Sequence, residues 1–154
     1  SDFTVWMLER SLKTLNLRVK EQTKNAQVIA EYLEGNPCIK KVHYPGLKSH
    51  PKHKIAALQM HGFGAMMSFE LVDGINAMDF QNSLQFIKPS LSLAGVESTI
   101  LSPAQTTHAL LSDEERSERG ITDGLIRFSV GIEEPEDLIA DIDQALLKTN
   151  KVHL

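Results

Sequence analysis

An α+β fold is what the sequence predicts: a small sheet of about four strands with helices on one face, preceded by a long helix. Three observations predict it. Apolar residues recur at alternating spacings of four and three between Leu8 and Leu33, which is one seam of a helix. Residues 65–71 and 124–131 alternate apolar with polar or small side chains, as strands with two unlike faces do. Strong helix starts, a capping box at Ser112 and a proline in the first turn after Glu134, fall between and after the strands.

The elements follow in order. The first seam runs through Leu8, Leu12, Leu15, Val19, Gln22, Ala26, Ile29 and Leu33. Asp2 or Thr4 can cap its start, Asn16 is a candidate bend between a short first helix and a longer second one, and Gly35-Asn36-Pro37 stops it. Trp6 and Met7 lie off the seam, as added core or as contacts with a part of the protein beyond this chain. Lys40–Tyr44 reads as a short strand ended by Pro45-Gly46. A helix is expected over about 51–60, touching the body through Ile55 and Leu58. Ala65, Met67, Phe69 and Leu71 mark the inner face of the next strand. A helix over 75–85 follows, with Ile75, Met78, Phe80 and Leu84 as its apolar set. Two extended pieces come next, Phe86–Leu93 and Ser98–Ser102, and Pro103 ends the second. A short helix runs from the Ser112–Glu115 capping box to Gly120. The strand at 124–131 places Ile126, Phe128 and Val130 on one face. The last helix carries a stripe of Leu138, Ile139, Ile142, Ala145 and Leu146.

Composition narrows the function. The 154 residues are 42% hydrophobic and 23% charged, the balance of one globular domain with a core of its own. Residues 1–60 carry ten Lys/Arg against five Asp/Glu, and residues 61–154 carry six against fifteen. The basic residues are spread along one amphipathic helix and the segment after it, which argues against a nucleic-acid footprint. No apolar run is long enough to span a membrane, and no signal peptide is expected. The single Cys38 rules out an intrachain disulfide, and a cytoplasmic location is expected. His50 and His53 flank a turn proline with no second ligand pair, so a zinc site is not expected. The start at Ser1-Asp2-Phe3, without Met, suggests a processed or excised piece.

No complete catalytic constellation stands in the sequence. Thr106-Thr107-His108 could hold a general base, although a lone histidine near a strand end is more often structural. Gly62-Phe63-Gly64 precedes a strand, which a phosphate-binding loop does not do. The informative residue is Arg127, a fixed positive charge on the less apolar face of the 124–131 strand. If another body covers that face, its planar fork of donors calls for a carboxylate. If nothing covers it, Arg127 simply meets water.

Several stretches together carry a family resemblance. They are Ser92-Leu93-Ala94-Gly95-Val96-Glu97-Ser98, Pro103-Ala104, Thr107-His108, Gly120-Ile121, Leu125–Glu133 and Asp137-Leu138-Ile139. Earlier come Leu12-Lys13-Thr14-Leu15, Tyr44-Pro45-Gly46-Leu47 with Ser49-His50-Pro51, and Gly62-Phe63-Gly64 before Ser68-Phe69-Glu70. In this order and over nearly the whole chain, the sequence resembles the C-terminal part of the trans-sulfuration enzymes. That is the Cys/Met-metabolism family using pyridoxal 5′-phosphate (PLP): cystathionine γ-synthase, cystathionine β- and γ-lyases, and methionine γ-lyase.

The resemblance implies the small C-terminal domain of a fold-type I PLP enzyme. Residues 1–34 would link to an absent large PLP domain, and 35–154 would form the substrate-binding unit. The whole protein would be a C–S lyase or synthase, assembled as a homotetramer and acting on cysteine, homocysteine, cystathionine or methionine type substrates. Arg127 would bind the substrate α-carboxylate, with Ser92 helping through its main chain. The lysine that anchors PLP in the family lies upstream of everything matched here, so this chain alone is expected to be inactive. Ala94 stands where glycine is more usual. Leu91 stands where several cystathionine-handling members carry a polar or acidic residue, which suits a smaller or more apolar substrate side chain. A different reading of the same residues is a stand-alone, non-catalytic binding or oligomerisation domain.

Overall fold

The computed structural model describes residues 1–150. Along them run α1 (Asp2–Leu12), α2 (Leu15–Glu34), β1 (Ile39–His43), α3 (His53–Gln59), β2 (Met66–Leu71) and α4 (Ala77–Ser83). β3 (Lys88–Pro89), β4 (Thr99–Leu101), α5 (Asp113–Glu118), β5 (Leu125–Ser129) and α6 (Pro135–Thr149) complete the order. The strands form one sheet in the order β1-β2-β5-β4-β3. β5 lies at its centre, antiparallel to both β2 and β4, while the edge strand β3 runs parallel to β4.

The alternation along β5 decides which side is core. Ile126, Phe128 and Val130 are fully buried against Ile29 and Leu33 of α2, Phe80 of α4, and Leu138 and Ile142 of α6. Phe69 of β2 meets Phe80 edge-on at 6.2 Å between ring centres, an arrangement aromatic quadrupoles favour. Burial of these side chains is the main driving force for closing the three helices onto the sheet. α6 starts as its sequence signals require, with Pro135 in the first turn and Glu136 and Asp137 beside the positive helix end. α5 has its full capping box, and Gly120 just beyond it takes φ +69°, the left-handed conformation that suits glycine.

A buried carboxylate fixes the crossing from α4 into the edge of the sheet. Asp141 of α6 accepts the backbone N–H groups of Gln85 (2.8 Å), Phe86 (3.0 Å) and Ile87 (2.8 Å). Three donors that lie outside any helix or strand are thereby satisfied by one side chain.

The structure departs from the sequence expectations at several points. The sheet has five strands rather than about four, the fifth being a two-residue edge, Lys88–Pro89, which is all that the piece expected over Phe86–Leu93 contributes. Pro89 offers no N–H to a ladder, so β3 stays a short edge. The short first helix and the longer second one meet at Lys13-Thr14 rather than at Asn16, and Ser1 supplies the cap. At the break, Ser11 Oγ donates to the Met7 carbonyl and the Arg18 guanidinium donates to the Ser11 carbonyl, at 2.7 Å. The seam is buried only from Gln22 onward; Leu8, Leu12, Leu15 and Val19 are exposed, Leu8 by 61%. In α3 the face toward the body is that of His53 and Ala56, so Ile55 and Leu58 point outward, Leu58 at 88% exposure. Met78 likewise faces outward on α4. Among the described residues no helix is long and apolar enough to cross a membrane.

Two stability predictions follow from this architecture. Asp141→Ala leaves the three N–H groups without their charged acceptor, and should lower unfolding free energy by about 2–3 kcal/mol in urea titration. Tyr44 is fully buried, donates to the Gly64 carbonyl at 2.9 Å, and has its phenol pushed up to about 12 by burial. The raised value means the folded state keeps the proton longer than the unfolded one, whose phenol ionises near 10.0. The Tyr44 contribution is therefore complete below pH 10 and is lost as pH rises from 10 toward 12, by about 2 kcal/mol. Unfolding curves across that window, compared with Tyr44→Phe, should show the wild type falling more steeply.

Candidate functional site: an arginine held by a loop

Arg127 lies on the face of the sheet opposite the helices, between Ser68 of β2 and Leu101 of β4. Its Nη2 donates to the carbonyls of Leu91 (3.0 Å) and Ser92 (3.2 Å). The three residues singled out from the sequence thus meet at one point, and Ser92 takes part through its main chain. Among the described residues no carboxylate pairs with Arg127, and its Nε and Nη1 have no protein acceptor. The nearby carboxylate on the same face, Glu70, is instead engaged by His43 Nε2 at 2.9 Å. A half-buried guanidinium with free donors and no counter-ion is a receptor for an anion.

The carbonyls that hold Arg127 belong to a connection between β3 and β4, and that connection is tied down along its length. Thr99 Oγ1 donates to the Ser92 carbonyl at 2.8 Å. Ser129 Oγ accepts the Ala94 N–H at 3.0 Å. Gln22 of α2, buried, donates to the Gly95 carbonyl at 2.6 Å. Glu133 accepts both the N–H (2.6 Å) and the hydroxyl (2.9 Å) of Ser98, whose oxygen accepts the Gly131 N–H at 2.8 Å. Gly131 sits where the loop crosses the end of β5. A Cβ there would lie 2.3 Å from the Val96 carbonyl oxygen, so only glycine allows the approach. The sheet face opposite the helices is accordingly roofed over β4 and the end of β5, where Thr99, Leu101 and Ser129 are buried. It stays accessible around Arg127, Ser68, Glu70 and Met66.

A lysine that holds pyridoxal must be desolvated so that its amine is free near neutral pH. Every described lysine is exposed, and the Lys24 ammonium is held above its ordinary value by its hydrogen bond to Glu21. The described lysines therefore do not fit a PLP anchor, whereas the free donors of Arg127 have the chemistry to take an anion. His108, the candidate general base, has its Nδ1 2.8 Å from the Thr107 hydroxyl. The described residues hold no group of three or more side chains suited to a metal ion.

Sequence reasoning missed the loop anchors Thr99, Ser129, Ser98 and Glu133. One signal was available: Gln22, with Asn25 beside it, is polar on an otherwise apolar helix seam. Both prove to be buried and to hold backbone carbonyls, of Gly95 and of Gly131 and Glu133 respectively.

The comparisons with known proteins agree with one another. Residues 1–147 match the family model described as Cys/Met metabolism PLP-dependent enzyme. The chain is 52% identical over 143 residues to a cystathionine beta-lyase of Lactococcus lactis subsp. cremoris, covering 93% of this chain and 38% of that protein. It is 46% identical to an L-methionine gamma-lyase of Fusobacterium nucleatum subsp. polymorphum, covering 90% of this chain and 35% of that protein. A crystal structure of cystathionine gamma-lyase from Lactobacillus plantarum, complexed with L-serine, superposes with a TM-score of 0.88 at 43% identity. It covers 94% of this chain and 38% of that one. The chain thus spans little more than a third of the length of the relatives it matches.

Ala94, one of the loop residues, has φ +61°, in the left-handed region. A Cβ there costs about 1–2 kcal/mol. Glycine removes that strain and gives back about 0.5–1 kcal/mol through its more flexible unfolded chain. Ala94→Gly should therefore stabilise the chain by about 0.5–1 kcal/mol, read as a higher urea midpoint at unchanged slope.

Proposed function

The chain belongs to the Cys/Met-metabolism PLP-dependent enzymes, and from that membership we propose that it is the C-terminal, substrate-binding domain of a C–S lyase or synthase. Arg127 binds the α-carboxylate of the amino-acid substrate. The observation that carries this reading is a guanidinium with two donor nitrogens free, no counter-ion among the described residues, and a side fixed by the Leu91 and Ser92 carbonyls. The relative crystallised with L-serine holds a ligand of the right chemistry, an α-amino acid. A charge-assisted contact at one end of so small a substrate fixes the orientation of the bonds at its Cα.

Leu91 borders the same site and is 63% exposed. We assign it to the substrate side-chain pocket, where an apolar leucine favours a thioether or thiol over a second charged amino-acid head. The PLP and its lysine are assigned to a large domain outside this chain, so the chain alone is inactive. That domain also gives a partner to α1 and the first turns of α2, whose Phe3, Trp6, Leu8, Leu12 and Leu15 are exposed here. An apolar surface of that extent is a feature of chains that dock against another body. The whole enzyme is proposed to be a cytoplasmic homotetramer.

The test is Arg127→Ala in the whole protein with its cofactor. Losing the charge-assisted contact should raise KM for the amino-acid substrate by about 1.5–3 kcal/mol, roughly 10- to 150-fold. A variant with the KM of the wild type would overturn the assignment.

A further inference from the structure

We propose that Thr99 is a positioning residue for the carboxylate site: its hydroxyl fixes the carbonyl that in turn orients the Arg127 guanidinium. This rests on the reading of Arg127 given above. Thr99 opens β4, is 5% exposed, and is paired across the sheet with Ser129. Its Oγ1 donates to the Ser92 carbonyl oxygen at 2.8 Å, and the same oxygen accepts Arg127 Nη2 at 3.2 Å.

A carbonyl oxygen has two lone pairs, and here both are used, one by the hydroxyl and one by the guanidinium. The peptide plane after Ser92 therefore cannot swing without breaking both bonds. Ser92 itself is exposed, and so are Leu91 and Leu93, so burial does not hold this plane. The anchors nearest this plane are Thr99 on the Ser92 carbonyl, Ser90 Oγ accepting the Ser92 N–H at 3.1 Å, and Ser129 on the Ala94 N–H; Thr99 and Ser129 are hydroxyls side by side on adjacent strands. The Thr99 side chain is β-branched and stiff about its first torsion, which makes it a fixed post for the bond. Ser129 sets the height of the loop, whereas Thr99 acts on the oxygen that touches the arginine.

Valine has the shape of threonine without the donor, so Thr99→Val removes the hydrogen bond and keeps the packing. The probes are L-serine and ethanolamine, which is serine without its carboxylate. Binding of each is measured by calorimetric titration of the whole protein with its cofactor, alongside the thermal midpoint. The wild type is expected to prefer L-serine. Thr99→Val should reduce that preference about fivefold by weakening L-serine alone, with Thr99→Ser restoring it. In an Arg127→Ala background, Thr99→Val should change nothing further, since the hydroxyl acts only through the guanidinium.

An unchanged preference in Thr99→Val, with or without a lower thermal midpoint, overturns the positioning role and leaves the Arg127 reading standing. The same holds if Thr99→Val weakens both ligands equally, or weakens L-serine equally in the Arg127→Ala background. A wild-type protein that does not distinguish L-serine from ethanolamine overturns both proposals.

Discussion

A guanidinium placed on a sheet face cannot shed its charge, so it must find oxygen atoms or remain in water. In this chain it finds two backbone carbonyls, and much of the structure beyond the core serves to put them there. The carbonyls sit in a loop with no ladder of its own between Ser90 and Ser98. Such a loop holds a geometry only if its polar groups are tied elsewhere. They are tied to α2 through Gln22, to β4 through Thr99, to β5 through Ser129, and to the turn after β5 through Glu133. The core fixes the positions of these four anchors. Hydrophobic burial thus sets the frame, and a handful of short hydrogen bonds transmits it to one side chain.

The sequence was most legible where a single local rule governs. The alternation in β5, the capping box at Ser112, and the proline at the start of α6 all appear as read, because each depends only on neighbouring residues. It was least legible where a distant surface decides. Leu8 through Val19 and Gln22 through Leu33 share one periodic pattern, yet only the second half is buried, because only there does the helix pack into the core. Ile55 and Leu58 were expected to face inward on spacing alone. The histidine–carbonyl contact of His53 with Pro45 and the small Ala56 set the facing of α3 instead. The expected strand over Phe86–Leu93 mostly became the loop at the site, since its polar groups are taken by side chains from three other elements, Asp141 of α6, Thr99 of β4 and Arg127 of β5.

The same division applies to the site. Arg127 was legible because a lone charge in an alternating strand is conspicuous, and Ser92 and Leu91 because of the family resemblance. The serine and threonine anchors were not, because hydroxyl residues are common in strands and loops and carry no signature of their bonding. Gln22 and Asn25 were visible as polar interruptions of an apolar seam. Their meaning needed the tertiary fold, since their partners lie 73 and 106 to 108 residues away.

Holding an arginine by main-chain oxygens has a consequence for specificity. The Leu91 carbonyl binds Arg127 while the Leu91 side chain stays exposed beside it. On the proposed reading, a substitution at position 91 would therefore alter what the substrate side chain meets without altering the group that orients its carboxylate. A side-chain acceptor for Arg127 would not allow this, because changing it would change the arginine as well. The relatives are compatible with such a division of labour: proteins named as β-lyases and γ-lyases are similar to this chain to nearly the same degree. In this chain the frame is the sheet, the pinned loop, and the arginine between them.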